Sequence, residues 1–224
     1  MACIGIVGGL GVGATVHYYE KIAAACSARG VVPNLLINHA DANTGQAFVR
    51  AGRLDQVGDY LAPYIEQLAA GGAEAVAIPA VTPHIAIAEI KARTKVPLIN
   101  IMETLSLELR VRKLRRVALF GTIYTMQGNL WGQVTDAEIV KLQSDEMKFA
   151  GAAYQRLLDT RTPAPGDVAR LREIAATLQK RDGVEAILLA GTDLAAIFDE
   201  ANAGFPCIDV ARLHIDAIVA RLLG

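Results

Sequence analysis

The sequence predicts an α/β protein built as two related halves. Each half is expected to hold a mostly parallel sheet with helices on both faces. Three observations carry this expectation. Short apolar runs alternate with amphipathic stretches of helical period along the whole chain. The residues are 53% hydrophobic but only 5% aromatic, so the core must be aliphatic, as in parallel sheets buried on both sides. Finally, three segments of the first half are echoed in the same order in the second.

Taken in chain order, strands are expected at 3–7, 34–38, 75–78, 98–101, 117–120, 138–141, 186–189 and 207–209. The clearest helices between them are 14–29, 55–70, 82–93, 167–181 and 211–222. The echoes pair G-I-V-G-G at 5–9 with V-A-L-F-G-T at 117–122, and A-V-A-I-P-A-V-T at 75–82 with A-I-L-L-A-G-T at 186–192. The third pairs V-P-L-I-N-I at 96–101 with F-P-C-I-D-V at 205–210. All three are separated by about 110 residues, the mark of a duplicated unit. The expected domains are 1–112, with 208–224 packing back on it, and 113–207. In open α/β sheets ligands bind beyond the carboxyl ends of the strands. If the halves face each other at those ends, the strand-end turns meet across one cleft.

Charge excludes several function classes. There are 22 Lys and Arg against 23 Asp and Glu, a net charge of −1 with no basic cluster, so no nucleic-acid partner is expected. No apolar run approaches the roughly 20 residues of a membrane span, so no membrane partner is expected. The first residues lack the basic start of a secretory signal. Cys3, Cys26 and Cys207 are an odd number without metal-ligand spacing. They read as buried thiols in a reducing, cytoplasmic setting, with no metal site.

Candidate site residues gather at the strand ends. Gly8-Gly9-Leu10-Gly11-Val12-Gly13-Ala14 follows the first strand and opens a helix. Gly9, Gly11 and Ala14 formally match a dinucleotide fingerprint, but the acid this fingerprint wants arrives late, at Asp41. Helix-terminal N–H groups serve a carboxylate as well, so Gly9, Leu10 and Gly11 are read first as a carboxylate loop. Nucleotide binding and a purely structural turn remain alternatives. Asn38, at the end of the second strand, is read as facing the ligand. Thr82 and Thr192 are related by the repeat and are read either as helix caps or as ligand contacts. His84 is a candidate acid–base group or a buried helix-start histidine. Asp193 suits a helix N-terminus or proton transfer. Thr122 and Thr125 occupy the place of the glycine loop in the second half.

Together these segments resemble the aspartate/glutamate racemase family. The resemblance rests on I-G-I-V-G-G-L-G at 4–11, I-P-A-V-T-P-H at 78–84, V-P-L-I-N-I-M-E-T at 96–104, L-F-G-T-I-Y-T-M at 119–126 and A-G-T-D-L at 190–194. It implies two pseudo-twofold α/β domains and a cofactor-independent isomerase of the amino-acid racemase or epimerase type. It also implies a small amino acid or related carboxylate as ligand, and a homodimer. Family members use one cysteine thiolate to remove the α-proton and a second to return one. Those positions here are Ala80 and Gly191, with Val81 where asparagine is usual and Gly45 near the usual carboxylate-binding arginine. Ala80, Val81 and Gly191 therefore count as ligand-lining positions. An engineered alanine would account for Ala80 but not for Gly191, Val81 and Pro83, which favours natural divergence. A methyl group and a hydrogen cannot carry a proton. The alternatives are a lyase, decarboxylase or non-racemising isomerase on the same scaffold, or a non-catalytic carboxylate-binding protein.

Overall fold

Eight short strands form where the apolar runs lie, and every pairing between them is parallel. The computed structural model describes all residues, Met1–Gly224. The fold is α/β, as expected, with two four-stranded sheets. The chain divides into two units, Met1–Ile101 with His214–Gly224, and Met102–Leu213.

In the first unit the strands are β1 (Ile4–Gly8), β2 (Leu35–His39), β3 (Ala75–Ala77) and β4 (Leu98–Ile99), in the order β2-β1-β3-β4. Ile4 lies opposite both Leu35 and Ala75, so β1 is central and all of it is buried. Parallel neighbours need crossovers. These are α1 (Val12–Ser27), then α2 (Ala42–Arg50) with α3 (Leu54–Ala70), then a 3-10 turn, Thr82–Ala86, leading into α4 (Ile87–Arg93). Helix α3 buries Val57, Leu61, Ile65 and Leu68 at helical spacing, in one core with Val7, Val76, Ile78 and Ile90. A side chain at Gly5 would come within 3.0 Å of Leu68 and Val76, so glycine there lets the helix lie close on the sheet.

The second unit repeats the plan with β5 (Arg116–Phe120), β6 (Glu138–Ile139), β7 (Ala186–Leu189) and β8 (Cys207–Asp209), ordered β6-β5-β7-β8. Its helices are α5 (Ile101–Arg112), α6 (Ile123–Gln127), α7 (Ser144–Thr160) and α8 (Pro165–Asp182). Helix α7 starts at a capping box formed by Gln143 and Glu146, and α8 opens on Pro165 and stops at the left-handed Gly183. Helix α9 (Val210–Leu223) begins in this unit, and from His214 onward it belongs to the first.

Several boundaries differ from the sequence expectation. The strand expected at 98–101 ends at Ile99, because Ile101 already opens α5. The strand expected at 138–141 is paired only at Glu138 and Ile139. The helix expected at 82–93 is a tight 3-10 turn followed by a short α-helix. The two units divide at Ile101–Met102, in the first turn of α5, against a sequence expectation of 112–113.

Strand order locates the functional end of each sheet. From β1 the chain crosses to β2 on one side and then to β3 on the other, and β5 is placed alike. The carboxyl ends of β1 and β3, and of β5 and β7, therefore flank a topological switch point, where such sheets take ligands.

Candidate functional site

In the first unit the loop after β1 is shaped by packing. Gly9 has φ +88°, and a side chain there would overlap the carbonyl oxygen of Ala40 and lie 2.9 Å from His39 Nε2. The Gly9 N–H donates to Thr15 Oγ1 (3.0 Å), whose hydroxyl donates to the Gly11 carbonyl (2.9 Å). The Gly9 amide is thus engaged inside the loop, which supports the tight-turn reading of that residue. Gly11 is the N-cap of α1 and offers no side chain to the helix end. Leu10 packs against the core of the unit and lies near Gly45, beside the Tyr60 ring. The Asn38 side chain is turned toward α3: its amide donates to Gln67 Oε1 (2.7 Å) and to the Tyr64 carbonyl (3.3 Å).

Asp41 caps α2. It accepts from the Thr44 hydroxyl (2.7 Å), Thr44 N (2.9 Å) and Asn43 N (3.3 Å), which hold its carboxyl below the usual range. The Tyr60 hydroxyl donates to the Asp41 carbonyl (2.9 Å). Burial, helped by the hydrogen bond from Tyr64, pushes the Tyr60 phenol up to about 12.

The turn after β3 is tight and largely buried. The Ala80 N–H donates back to the Ile78 carbonyl (2.8 Å), and that of His84 to Val81 (3.0 Å). Ala80 and Val81 are buried, and Thr82 is half-buried. His84 is 1% exposed, with Nδ1 donating to the Ala80 carbonyl at 2.9 Å. A second imidazole, His214 of α9, lies close enough to feel its charge. Tyr18 OH donates to His214 Nδ1 (3.2 Å), and His214 Nε2 donates to the Ile99 carbonyl (2.7 Å). Burial drives His214 down to about 3, so it is neutral at pH 7. In the sequence the one signal of His214 is a histidine within the apolar last helix.

In the second unit Thr122 does cap a helix. Its Oγ1 accepts from Thr125 N (3.1 Å) and shares a hydrogen with the buried Thr125 Oγ1 (2.9 Å). The turn after β5 touches the turn after β7, since a side chain at Gly121 would sit 2.8 Å from the Ala190 carbonyl oxygen. The β7 turn copies its counterpart: Ala190 N–H donates back to Leu188 O (2.9 Å), and Leu194 N–H to Gly191 O (2.9 Å). The cap positions of the two 3-10 turns are Val81 and Gly191, each one residue before Thr82 and Thr192.

Thr192 is buried. The Tyr154 ring of α7 reaches under the turn, so that a β-carbon on Gly191 would overlap its Cε2 and come within 2.6 Å of Cζ. Its hydroxyl donates to Asp193 Oδ2 (3.2 Å) and accepts from the Asp193 N–H and the Thr192 side chain. Burial, aided by the Asp193 charge, holds this phenol well above its ordinary range. Sequence reasoning missed Tyr154, because helical period marks it as buried without showing where its hydroxyl ends.

The strand-end turns thus carry ionisable side chains, His84 after β3 and Asp193 after β7, the latter bonded to Tyr154 of α7. No set of three His, Cys, Asp or Glu side chains gathers in a metal-binding cluster. The three cysteines are free and buried, Cys3 just before β1, Cys26 in α1 and Cys207 in β8.

Comparison with known proteins gives the same fold. The chain matches the family model described as Asp/Glu/hydantoin racemase over residues 7–218. It is similar to the structure of a candidate Asp/Glu racemase from Yersinia pestis, with TM-score 0.88, 20% identity and 100% of both chains covered. It is also similar to an aspartate racemase homologue from Pyrococcus horikoshii OT3 (TM-score 0.81, 22% identity, 100% of both chains). A third similar structure is the allantoin racemase from Klebsiella pneumoniae, with TM-score 0.56, 17% identity, 100% of this chain and 88% of that one covered.

Proposed function

This chain belongs to the Asp/Glu/hydantoin racemase family, and on that footing we propose that it is a cofactor-independent isomerase of the racemase or epimerase type. Its ligand is a small amino acid or related carboxylate. The observation that supports this best is the pair of matching strand-end turns at the two switch points, each bearing a proton-active side chain, His84 and Asp193. Thr82 and Thr192 stand beside them as hydroxyl groups that hold the ligand or a reacting water. Leu10 and Gly11, in the loop whose turn Gly9 shapes, with Thr122 and Thr125, receive the carboxylate, while Ala80, Val81 and Gly191 line the turns without reacting. Asn38 contributes through its hold on α3.

The chemistry is proton transfer at carbon. An α-proton is weakly acidic, so the base must be positioned and the carboxylate of the ligand neutralised before the bond breaks. Solvent-deuterium incorporation at Cα across a panel of amino acids and dicarboxylates, followed by NMR, is the test. Exchange with at least one of them is expected, and folded protein that exchanges none of them would defeat the reading. A one-sided reaction, lyase or decarboxylase, is the second reading. It is favoured by the ring of Tyr154 filling the space beside Gly191. Loss of CO2 or a new double bond, with no inversion, would mark it.

Assembly and location belong to the same proposal. No helix is long and apolar enough to cross a membrane, and three free cysteines suit the reducing cytoplasm. On α1, Val12, Val16 and Tyr19 are exposed at one-turn spacing, a stripe suited to a second copy of the chain. Val16→Asp is expected to convert a dimer to monomer in sedimentation; a monomeric parent protein would remove the homodimer.

A further inference from the structure

The space that a side chain at position 191 would occupy belongs to Tyr154. The ring comes from α7, where a β-carbon on Gly151 would lie 3.4 Å from Ile123 and Met126 of α6. One turn further along, Tyr154 is 6% exposed, and its hydroxyl is tied to Asp193 and Thr192. A residue that only fills volume needs no hydroxyl, and phenylalanine would serve. Burying a hydroxyl is costly unless it is paired, and here the partner is a carboxylate in the first turn after β7.

We propose that Tyr154 is a positioning residue, which takes the volume left by Gly191 and fixes the Asp193 carboxylate as the proton-transfer group of the second unit. The proposal rests on the isomerase reading above. In the step it serves, the Cα–H bond of the ligand breaks and its electron pair stays on the ligand, spread into the ligand's carboxyl group. The proton forms an O–H bond on Asp193. That proton exchanges with water, and one returns to carbon, so the carboxylate is restored. Tyr154 keeps its own proton throughout and orients the carboxylate by donating to Oδ2.

The test compares the parent protein with Tyr154→Phe, which keeps the ring and removes only the hydroxyl. The first readout needs no substrate. In protein carrying 13C-labelled aspartate, the Asp193 carboxyl signal, assigned by its loss in Asp193→Asn, is followed through a pH titration. Losing a donor to the charged form moves the midpoint up. An unmoved midpoint overturns the pairing. The second readout is Cα deuteration. Tyr154→Phe should lower kcat about tenfold with KM nearly unchanged, and its pH–rate profile should move with the titration. Full kcat beside a shifted midpoint overturns the positioning role. Gly191→Ala, which drives a methyl group onto the ring, should move the midpoint in the same direction. If no substrate exchanges at all, the isomerase reading falls, and with it the proton-transfer role of Asp193; the titration then decides the pairing alone.

Discussion

At Gly9 two independent facts act on one residue. Its φ of +88° is a conformation that side-chain-bearing residues rarely hold, and any β-carbon there would collide with the Ala40 carbonyl. Gly9→Ala must therefore shift both the loop and the end of β2, and it is expected to cost about 2–4 kcal/mol in urea unfolding. Gly45→Ala is the matched control. Gly45 lies inside α2 without a positive φ, its nearest neighbour for a β-carbon is the Tyr60 ring at 3.6 Å, and helix propensity alone should stabilise that variant by up to ~1 kcal/mol. Equal losses at the two positions would refute the packing account. The need for Gly9 was legible in the sequence, because a glycine run between a strand and a helix calls for an unusual turn. What that turn opposes was not, since Ala40 is remote in sequence. The same holds for Tyr154, 39 residues from Asp193.

Among the elements, strands were legible because aliphatic runs in a doubly covered sheet carry a strong signal. Helix ends were less so. At 98–101 apolar residues stand on both sides of Asn100, and only the fold decides that pairing stops at Ile99 and α5 begins at Ile101. Helix α9 makes a sharper case, because a polar group anchors it. His214 is fully buried between Tyr18 and the Ile99 carbonyl, with His84 nearby, and titrates at about 3 against an ordinary 6.5. Between those values the unfolded chain binds a proton that the folded chain refuses. Stability is therefore complete above about pH 6.5 and falls as pH drops toward 3, by up to about 1.4 kcal/mol per pH unit. The carboxylates with lowered values, such as Glu146 beside Arg181, act only further down, near and below their ordinary range. Urea unfolding between pH 4.5 and 6.5 should show a slope about one proton smaller in His214→Gln than in the parent protein. Identical slopes would mean that the imidazole takes up its proton in the folded state.

For the whole molecule, the repeat seen as three echoes reappears as two sheets with one strand order and two turns with one hydrogen-bond pattern. Duplication was readable because both copies kept their strand-end sequences. The last segment is the exception to simple duplication. After β8 the chain leaves the second unit within α9, and His214–Gly224 joins the first. There Ile215, Ile218, Val219 and Leu222 are all buried. At about 1.5–3 kcal/mol for each large apolar side chain, removing them rivals the ~5–15 kcal/mol by which a domain is usually stable. It also removes the His214 hydrogen bonds to Tyr18 and the Ile99 carbonyl. Deleting His214–Gly224 should therefore weaken the first unit selectively. Amide hydrogen exchange is expected to accelerate in β1, β3 and β4, which lie far away in sequence. Protection in β5 and β7 should fall much less. The single tryptophan, Trp131, lies in the second unit and supplies an independent fluorescence readout of that unit. If β1 and β5 lose protection together, the two units share one cooperative transition; if neither does, the terminal helix contributes nothing to the core that its buried side chains enter.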